Sequence, residues 1–472
     1  MAFKPQRVRD PVHNLIRFHA DQFENALWSV IETRPFQRLR RIKQLGFSDL
    51  VYPGATHSRF AHSLGVFHTA RMLMQIIQTH LGPQHFEPTK AQAALAASLV
   101  HDLGHGPFSH AFEDVGRRLG LKMASHEHVS DSLIRTDDVA EAFSKLGSGF
   151  AADVADIINR KGPKDIYDAV VSSQFDADRL DYMQRDRLMS GTQVGGIDFA
   201  WLIENLEIGT VPYGVDDTKV GDLETFVVGS KAVDAAEGYV LGLFQLYPTI
   251  YFHKTTRGAE KLFTEILIRI VELAREGSIE RTGLSDTHPI AIFANKPDEI
   301  ESVLALDDSV IWGSLPLLVE ARDETIRLFS SNLRDRNLFM AIDVRERLKS
   351  QMDGKLDEAE SLDRACDQVC VRIEEAVIAR SLEAKGRVPS ILSDKAEREP
   401  YRRFQESKGP LNQIRVKSPN GGLVDLGERS KVVGAIQTFK LYRLYVARDD
   451  QEAQRFVADL IKREAAGNVA TH

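Results

Sequence analysis

The sequence has few of the features that would indicate an oxidising compartment or a membrane. Only two of its 472 residues are cysteines, Cys366 and Cys370. Their spacing places both on one face of a predicted helix, where packing of two small side chains is the simplest interpretation. No apolar run approaches the roughly 20 residues that a transmembrane helix needs, and the first residues lack the apolar core of a signal peptide. We therefore predict a cytoplasmic protein with no membrane association.

An excess of positive charge is also missing. The chain has 60 Lys and Arg against 68 Asp and Glu, a formal net charge of −8. This balance argues against a general nucleic-acid binder, although a metal and a few local cations can hold phosphate groups in an acidic protein. Internal repeats and low-complexity tracts are absent, so a chain of this length predicts about two or three packed units.

The hydrophobic pattern is mainly that of helices. Apolar residues recur near the 3.6-residue period from 58 to 81, where Gly82-Pro83 ends the pattern, and a segment from 89 to 101 is apolar on most sides. Segments between 206 and 230 suggest an antiparallel strand pair. We predict a mainly α fold with small antiparallel β excursions, divided into four segments: a core from 1 to 280, a charged helical region from 281 to 383, an exposed connector from 384 to 412 and a small α+β unit from 413 to 472.

The most informative stretch follows the Ala-rich helix directly. Residues 101–110 read His-Asp-Leu-Gly-His-Gly-Pro-Phe-Ser-His, so an imidazole and a carboxylate stand side by side where the helix ends. Neither group is readily buried unless it is paired or binds a metal. Adjacent helical residues point about 100° apart. His101 and Asp102 can therefore reach one ion only at a fraying helix end, which Gly104 and Gly106 supply.

Two further residues complete a predicted metal set. His62 lies in the run Arg-Phe-Ala-His-Ser-Leu-Gly-Val, and Asp178 lies in the crowded charged segment 176–186. Two imidazoles with two carboxylates suit an ion of about five or six ligands that keeps open positions for water and substrate. Mn, Fe, Co, Mg and Zn all fit such a set. Each residue alone has an ordinary explanation, since a single helical histidine is most often a satisfied core residue.

Taken together, these motifs resemble the HD-domain metal-dependent phosphohydrolases, most closely the deoxynucleoside triphosphate triphosphohydrolases (dNTPases). The resemblance runs from about 7 to 260 and includes Asp10-Pro11-Val12-His13, Gln44-Leu45-Gly46 and His126-Glu127. It implies an HD-domain helical core, a homo-oligomer (dimer or tetramer) and a divalent metal. The implied metal ligands are His62, His101, Asp102 and Asp178.

The resemblance also implies roles for other residues. Four residues match the catalytic, phosphate-side group, with His110 as the proton donor to the leaving oxygen: His105, His110, Glu113 and His126. Eight residues match or neighbour substrate-binding positions: Gln44, Leu45, Arg59, Arg179, Tyr182, Asp186, His253 and Lys254. Glu32 and Arg40 stand where regulated relatives bind a guanine-nucleotide activator, and a surface salt bridge is the alternative interpretation.

The implied reaction is hydrolysis of a dNTP to deoxynucleoside and inorganic triphosphate, by in-line attack of a metal-organised water. Leu243 and Pro248 depart from the pattern, because arginines are common there in bacterial relatives. A nucleoside mono- or diphosphate or a signalling nucleotide is therefore an alternative substrate. A cyclic-dinucleotide hydrolase is disfavoured because its Gly-Tyr-Pro signature is missing, and an alarmone hydrolase because the Glu113-Asp114 pair comes too late. A nucleotide sensor without turnover and a nuclease are the remaining alternatives.

Overall fold

The computed structural model describes residues 4–160, 164–215, 218–352, 359–384, 386–399, 401 and 413–469. The fold is mainly α-helical with small, largely antiparallel sheets, which confirms the predicted fold class. Up to residue 246 the elements are β1 (Gln6–Asp10), β2 (Asn14–Phe18), α1 (Gln22–Ile31), α2 (Arg34–Arg38), α3 (Arg59–His85), α4 (Pro88–Val100), α5 (His110–Leu119), α6 (His126–Arg135), α7 (Asp137–Ser144), α8 (Phe150–Asn159), α9 (Ala177–Ser190), α10 (Phe199–Glu204), β3 (Leu206–Val215), β4 (Thr218–Val228) and α11 (Val233–Leu246).

A π-helical turn, Tyr247–Tyr251, follows α11. The remaining elements are α12 (Lys254–Arg275), α13 (Pro289–Asn295), α14 (Ile300–Leu304), α15 (Asp308–Leu318), α16 (Glu324–Arg334), β5 (Met340–Asp343), α17 (Val344–Met352), α18 (Ala359–Glu383), β6 (Ile391–Arg398), β7 (Arg415–Lys417), β8 (Leu423–Asp425), α19 (Leu426–Arg429), α20 (Lys431–Ala435), β9 (Phe439–Val446) and α21 (Gln451–Val469). Among the described residues, no helix is both long and apolar enough to cross a bilayer.

The chain forms two compact units, and neither is a single continuous segment. The first contains 1–251, 296–311 and 399–437, and the second contains 252–295, 312–398 and 438–472. The four predicted consecutive segments differ from this division. Local composition could not reveal that 296–311, within the charged helical region, packs with the first unit.

The first unit is built around helices α3, α4 and α9. α3 packs on α4 and on α9, and α4 is buried over its C-terminal half from Ala93 to Val100, as its apolar pattern predicts. The helical pattern of α3 is interrupted at Gly82, whose φ of 66° only glycine adopts easily. The hairpin β1–β2 pairs Gln6 with Phe18 through Asp10 with Asn14.

A four-stranded sheet of order β3-β4-β7-β8 also belongs to the first unit. β3 and β4 form the antiparallel pair predicted between 206 and 230, and β4 pairs in parallel with β7 at Val228 and Val416. The predicted α+β unit from 413 to 472 is therefore divided, since its first strands complete this sheet. Two strands of three residues cannot form an independently stable sheet.

The second unit combines helices with a three-stranded antiparallel sheet of order β5-β9-β6. β6 occupies residues predicted to be an exposed connector, and it pairs with β9 from Ile391–Val446 to Arg398–Phe439. This pairing joins residues far apart in sequence, so the local pattern did not show it. Within that predicted connector, residues 385, 400 and 402–412 lie outside the described residues. Cys366 and Cys370 are free and buried in the core of α17, α18 and α21, as small side chains at a helix interface.

Candidate metal centre and catalytic cluster

Three helices of the first unit begin or end close together, and each brings predicted metal ligands. His62 lies in the first turn of α3, which Ser58 caps. His101 is the C-cap of α4 and is followed directly by Asp102, and Asp178 lies in the first turn of α9. Because α3 packs on both α4 and α9, donors from three separate stretches of the sequence meet.

The four predicted ligands lie within a few ångströms of one another. His62 Nε2 is 2.9 Å from Asp178 Oδ1 and 3.7 Å from Asp102 Oδ2. His101 Nε2 is 3.3 Å from Asp102 Oδ1 and 3.7 Å from Asp178 Oδ1. Donor atoms of His62, His101 and Asp178 all lie within 4.8 Å of one another, a spacing that one ion can bridge.

The hydrogen bonds of the two histidines test whether a cation fits. His101 Nδ1 is 2.9 Å from the Ser98 carbonyl, and His62 Nδ1 is 2.8 Å from Asp181 Oδ2. Both Nδ1 atoms therefore carry the proton, and in the neutral rings both Nε2 atoms present a lone pair. His101 Nε2 is buried and makes no hydrogen bond to the described residues. Lone pairs aimed at carboxylates repel each other unless a positive charge lies between them, so the donor set fits a divalent cation.

The pKa values point the same way. Burial alone would lower the pKa of His62, but Asp178 and Asp181 outweigh it and raise the pKa to about 10. Against the same effect of burial, Asp102 and Asp178 raise the pKa of His101. Burial would raise the pKa of Asp178, but the two imidazoles lower it. The group thus attracts positive charge, which protons or a metal ion can supply.

Asp181 holds His62 from behind. It is fully buried, and besides His62 it contacts His13 Nε2 at 2.6 Å and accepts from Arg185 Nε at 2.8 Å. Arg185 also donates to Asp10 at 2.8 Å, which ties the β1–β2 hairpin to α9. Such partners fix the tautomer and ring orientation of a metal-binding histidine.

The sequence reasoning assigned no role to these supporting residues. The signal for Asp181 was its spacing of four from Arg185 on one helix. Gly65 of α3 was a second signal, since a Cβ there would collide with the Asp181 carboxylate. Gly104 acts similarly after α4, because a Cβ would collide with the His126 carbonyl.

A second cluster lies beside the four ligands and contains the predicted catalytic residues. The rings of His105 and His126 stack with centroids 4.0 Å apart. Glu113 bonds His126 Nδ1 closely and His110 Nδ1 at 2.9 Å. His105 Nε2 lies 3.2 Å from Asp102 Oδ1 and so connects the two groups. His105 is 2% exposed, whereas the side chain of His110 is 71% exposed.

Charge and burial give the members of this cluster different protonation states. Burial, together with the charges of Arg59 and His126, lowers the pKa of His105 well below its usual value. His105 is therefore neutral. Burial would raise the pKa of Glu113, but hydrogen bonds from His110 and His126 hold it far below its usual value. Glu113 therefore stays an anion that orients both imidazoles.

Comparison with known proteins agrees with this geometry. The HD domain family matches residues 59–185. Uncharacterized protein YwfO of Bacillus subtilis is 33% identical over 336 residues, which cover 71% of this chain and 71% of that protein. The chain belongs to the HD-domain phosphohydrolases. The resemblance to the HD-domain phosphohydrolases drawn from the motifs is confirmed. Another relative, deoxynucleoside triphosphate triphosphohydrolase SAMHD1 of Mus musculus, is 28% identical over 369 residues.

That match covers 70% of this chain and 53% of the mouse protein. Among solved structures, a phosphohydrolase from Bacteroides thetaiotaomicron superposes with a TM-score of 0.69. It is 26% identical in sequence, and the match covers 94% of this chain and all of that one. A hypothetical protein from Aquifex aeolicus shares the fold, with a TM-score of 0.67 at 23% identity.

Two arginines were predicted to bind phosphate, and both bond carboxylates in the structure. Arg59 is buried, bonds Asp102 closely and donates from Nε to Ser109 Oγ at 2.8 Å. Arg179 donates to Asp176 Oδ2 at 3.0 Å, and its side chain is 30% exposed. Arg59 thus contacts one of the four predicted metal ligands, whereas the Arg179 side chain on α9 is partly exposed.

The predicted sugar-binding residues gather around His57. The Gln44 backbone N–H donates to the His57 carbonyl at 2.9 Å. Leu45, the next residue, is buried. Asp186 contacts His57 Nε2 at 2.8 Å and accepts from the Tyr251 hydroxyl at 2.8 Å. His57 Nδ1 and Gln44 Oε1 are buried without hydrogen-bond partners among the described residues, as expected for groups that receive a polar ligand.

The aromatic residues and the two departures belong to α9, α11 and the π-helical turn. The ring of Tyr182 is perpendicular to that of Tyr251, with centroids 6.1 Å apart, and burial raises the pKa of Tyr182. Leu243 is buried in α11, and Pro248 lies in the π-helical turn. A buried apolar side chain thus stands where the resemblance leads us to expect a cation.

Four remaining predicted residues have separate surroundings. His253 and Lys254 belong to the second unit, where His253 caps α12. Glu32 accepts from the indole of Trp28 at 2.8 Å. Arg40 lies over the ring of Phe60, 3.6 Å from its centroid. Their substrate and regulatory roles stay predictions.

Arg38, to which the sequence analysis assigned no role in the site, is 1% exposed. It donates to the carbonyls of His105 and Leu306, each at 2.8 Å, and of Val303 at 3.3 Å. Burial lowers its pKa to about 10, against the charges of Asp307 and Asp308. Arg38 therefore supports the loop that contains His105. Its neighbours Phe36 and Leu39 are apolar and buried, which was the signal in the sequence that this segment is not a solvated surface.

Proposed function

We propose that this HD phosphohydrolase hydrolyses deoxynucleoside triphosphates to deoxynucleoside and inorganic triphosphate. The supporting observation is the convergence of His62, His101, Asp102 and Asp178 beside the histidine cluster, to which Asp102 is joined through His105 at 3.2 Å. The SAMHD1 relatives carry the triphosphohydrolase name at 26% and 28% identity in Dictyostelium discoideum and Mus musculus, which favours dNTPs as the substrate class.

The buried donors give the site its charge. A divalent cation bound there supplies Lewis-acid stabilisation of charge on a phosphoryl group. Arg59 orients Asp102 and adds fixed positive charge near the transferred phosphorus. His105 donates from Nε2 to Asp102, so its buried Nδ1 remains a hydrogen-bond acceptor. In this arrangement, Nδ1 accepts a hydrogen bond from the attacking water and orients it.

His110 is the group that protonates the leaving oxygen. Its Nδ1 is bonded to Glu113 and its side chain is exposed, so Nε2 is accessible to substrate. Water attacks the α-phosphorus in line and releases one proton to solvent, the bond from phosphorus to the 5′-oxygen breaks, and that oxygen takes the Nε2 proton of His110, which solvent then replaces. The bond from Nδ1 to Glu113 holds the His110 ring in place during the transfer.

The group around His57 provides recognition of the sugar. We assign the 3′-hydroxyl to Gln44 and Asp186, and buried Leu45 crowds the 2′ position against a ribose. Tyr182 packs against the nucleoside, and Arg179 contributes positive charge to the phosphates. The activity is expected in the cytoplasm, in a homo-oligomer, with Glu32 and Arg40 binding a guanine-nucleotide activator.

Leu243 and Pro248 favour a second substrate class. Leu243 is buried and apolar, so it cannot neutralise a terminal phosphate. The lack of a cation there would weaken binding of a triphosphate more than binding of a nucleoside mono- or diphosphate. Leu243→Arg is the informative variant. It should increase kcat/KM for a triphosphate relative to the matching monophosphate if the cation is the missing element.

A screen of purified protein tests the proposal. Each dNTP is incubated with Mn²⁺, Mg²⁺ or Co²⁺, and products are separated by anion-exchange chromatography. Release of inorganic triphosphate from dNTPs, lost in His101→Ala, is the expected result. Release of orthophosphate from monophosphates alone would support the second class, and no product from any dNTP in any metal would contradict the dNTPase assignment.

A further inference from the structure

The Asp308 side chain forms hydrogen bonds with two loops of the first unit. The sequence analysis assigned no role to this part of the chain. Asp308 is the first residue of α15 and is 3% exposed. Its Oδ2 accepts from the Lys43 N–H at 2.9 Å, and its Oδ1 accepts from the Phe108 N–H at 2.8 Å. Lys43 directly precedes Gln44 on the sugar side, and Phe108 lies in the loop between the catalytic His105 and His110.

The loop that Asp308 holds has an unfavourable backbone conformation. Phe108 and Ser109 have φ values of 54° and 56°, a region that side-chain-bearing residues rarely enter. Such a conformation persists only where surrounding contacts enforce it, and it is concentrated at functional sites. Here the contacts are the Asp308 bond, the Arg59 bond to Ser109 and the stacking of Phe108 on Phe47 at 3.8 Å.

The orientation of the proton donor depends on this conformation. Ser109 immediately precedes His110, the first residue of α5. A change in the backbone of 108–109 therefore redirects the His110 side chain. The same change would move the loop relative to Lys43, whose carbonyl the Ser109 hydroxyl also faces at 3.5 Å.

A carboxylate is needed for this connection. Two backbone N–H groups face one side chain, and only an acid offers two oxygen acceptors with no donor. An amide would place its NH₂ against one of the two N–H groups. Charge-assisted bonds to an ionised acceptor are also stronger than neutral ones.

We propose that Asp308 is a positioning residue that fixes the sugar-side loop at Lys43–Leu45 relative to the proton donor His110. The inference rests on the proposed function. One carboxylate of α15 thereby determines the distance between the sugar-side loop and the loop that precedes His110. Asp308 therefore affects both turnover and the discrimination between deoxyribose and ribose.

Asp308→Asn tests the proposal, with Asp307→Asn as the matched control. Asp307 pairs with the half-exposed Arg41 and accepts from the Val310 N–H, and asparagine keeps that helix-capping bond. In Asp308→Asn we expect kcat to fall about 10- to 100-fold, since a misplacement of about 1 Å has that consequence. The ratio of kcat/KM for a dNTP to that for the matching ribonucleotide should also fall, whereas the control should keep both.

Amide hydrogen exchange gives a readout independent of activity. Peptides covering 43–47 and 103–110 should exchange faster in Asp308→Asn than in the wild type or the control, with the remaining peptides unchanged. A partly unfolded variant would lower kcat for both sugars equally and would not change their ratio. A variant with wild-type kcat, sugar ratio and exchange would overturn the inference.

If Asp308→Asn does not fold, Asp308→Glu replaces it. Glutamate keeps both acceptors but displaces them by one methylene, so a smaller loss of kcat and faster exchange in the two loops are expected. Unchanged kcat, ratio and exchange in that variant would equally overturn the inference. A wild-type protein that hydrolyses no dNTP would contradict the proposed function itself, and the positioning role of Asp308 in sugar discrimination would fall with it.

Discussion

The two units bury charged groups in different ways. In the second unit, Asp394 is fully buried and accepts from Arg257 Nε at 3.1 Å, with Lys261 at 3.7 Å. Among the described residues of the second unit, the buried polar side-chain atoms without a hydrogen-bond partner are hydroxyls, such as those of Thr256 and Ser330. In the first unit they include imidazole nitrogens next to carboxylates.

We interpret buried charges that are paired as stabilising the fold, and buried polar atoms without a partner as serving function. A paired charge such as Asp394 has recovered its lost hydration from its partners. The unpartnered nitrogens of His101 and His105 have not, so the fold tolerates them at a cost to stability. Residues retained at such a cost are where a bound ion or substrate is expected.

The largest effect is expected from the metal group. Asp102→Asn should lower kcat at least about 1,000-fold, because one ligand and the partner of Arg59 are lost together. The free energy of unfolding should also fall, because the buried charge of Arg59 loses its carboxylate partner. Turnover and urea denaturation check the two outcomes, and a variant that keeps turnover would remove Asp102 from the site.

The matching change in the second unit should act on stability alone. Asp394→Asn removes the buried carboxylate that Arg257 and Lys261 share and leaves Arg257 paired with Glu260. The free energy of unfolding should therefore fall by about 3 kcal/mol, measured by urea denaturation. Burial would raise the pKa of Asp394, but Arg257 and Lys261 lower it. The stabilisation is therefore complete above the unfolded pKa of about 3.9 and is lost as pH falls through the folded value.

Turnover of Asp394→Asn per folded molecule, measured well below its melting temperature, should equal that of the wild type. A loss of kcat comparable to that of Asp102→Asn would mean that the second unit takes part in chemistry, and the contrast between the units would no longer hold.

Metal binding should stabilise the first unit and should depend on pH. At about 100 times its Kd, Mn²⁺ should add about 2.7 kcal/mol to the free energy of unfolding, and removal by a chelator should abolish turnover. Because Asp178 and Asp181 raise the pKa of His62 to about 10, binding displaces a proton. The Kd should therefore rise roughly tenfold for each pH unit lowered.

Asp178→Asn is the control for this measurement and should lose most of the stabilisation by Mn²⁺. Calorimetric titration at pH 6 and pH 8 gives the pH dependence. An affinity equal at both values would contradict the protonated state of the metal-free site.

The smallest effect is expected from the two cysteines of the second unit. Burial raises the pKa of both Cys366 and Cys370, so they remain thiols that contribute packing. Replacing both with alanine should lower the free energy of unfolding by about 1–2 kcal/mol without changing kcat. Oxidant sensitivity of the wild type that the double variant lacks would indicate a redox role instead.

The sequence was sufficient for the parts of the site that depend on residue type and neighbours. The motif around His101-Asp102 follows from a helix end rich in glycine, and the ligand types follow from metal chemistry. Both come from contiguous residues. The supporting contacts of Asp181 with His13, and of Arg38 with the His105 carbonyl, join distant segments. No local pattern contains them.

The sequence by itself determined the helical class and the family, and it named the four candidate ligands and the histidines that the structure brings together. These properties depend on side-chain chemistry and on periodicity within a few turns. Only the tertiary structure decided that 296–311 belongs to the catalytic unit, that β7 and β8 extend its sheet, and that Asp308 bonds two of its loops. Those outcomes depend on long-range packing and on backbone hydrogen bonds, in which every residue except proline offers the same donor and acceptor.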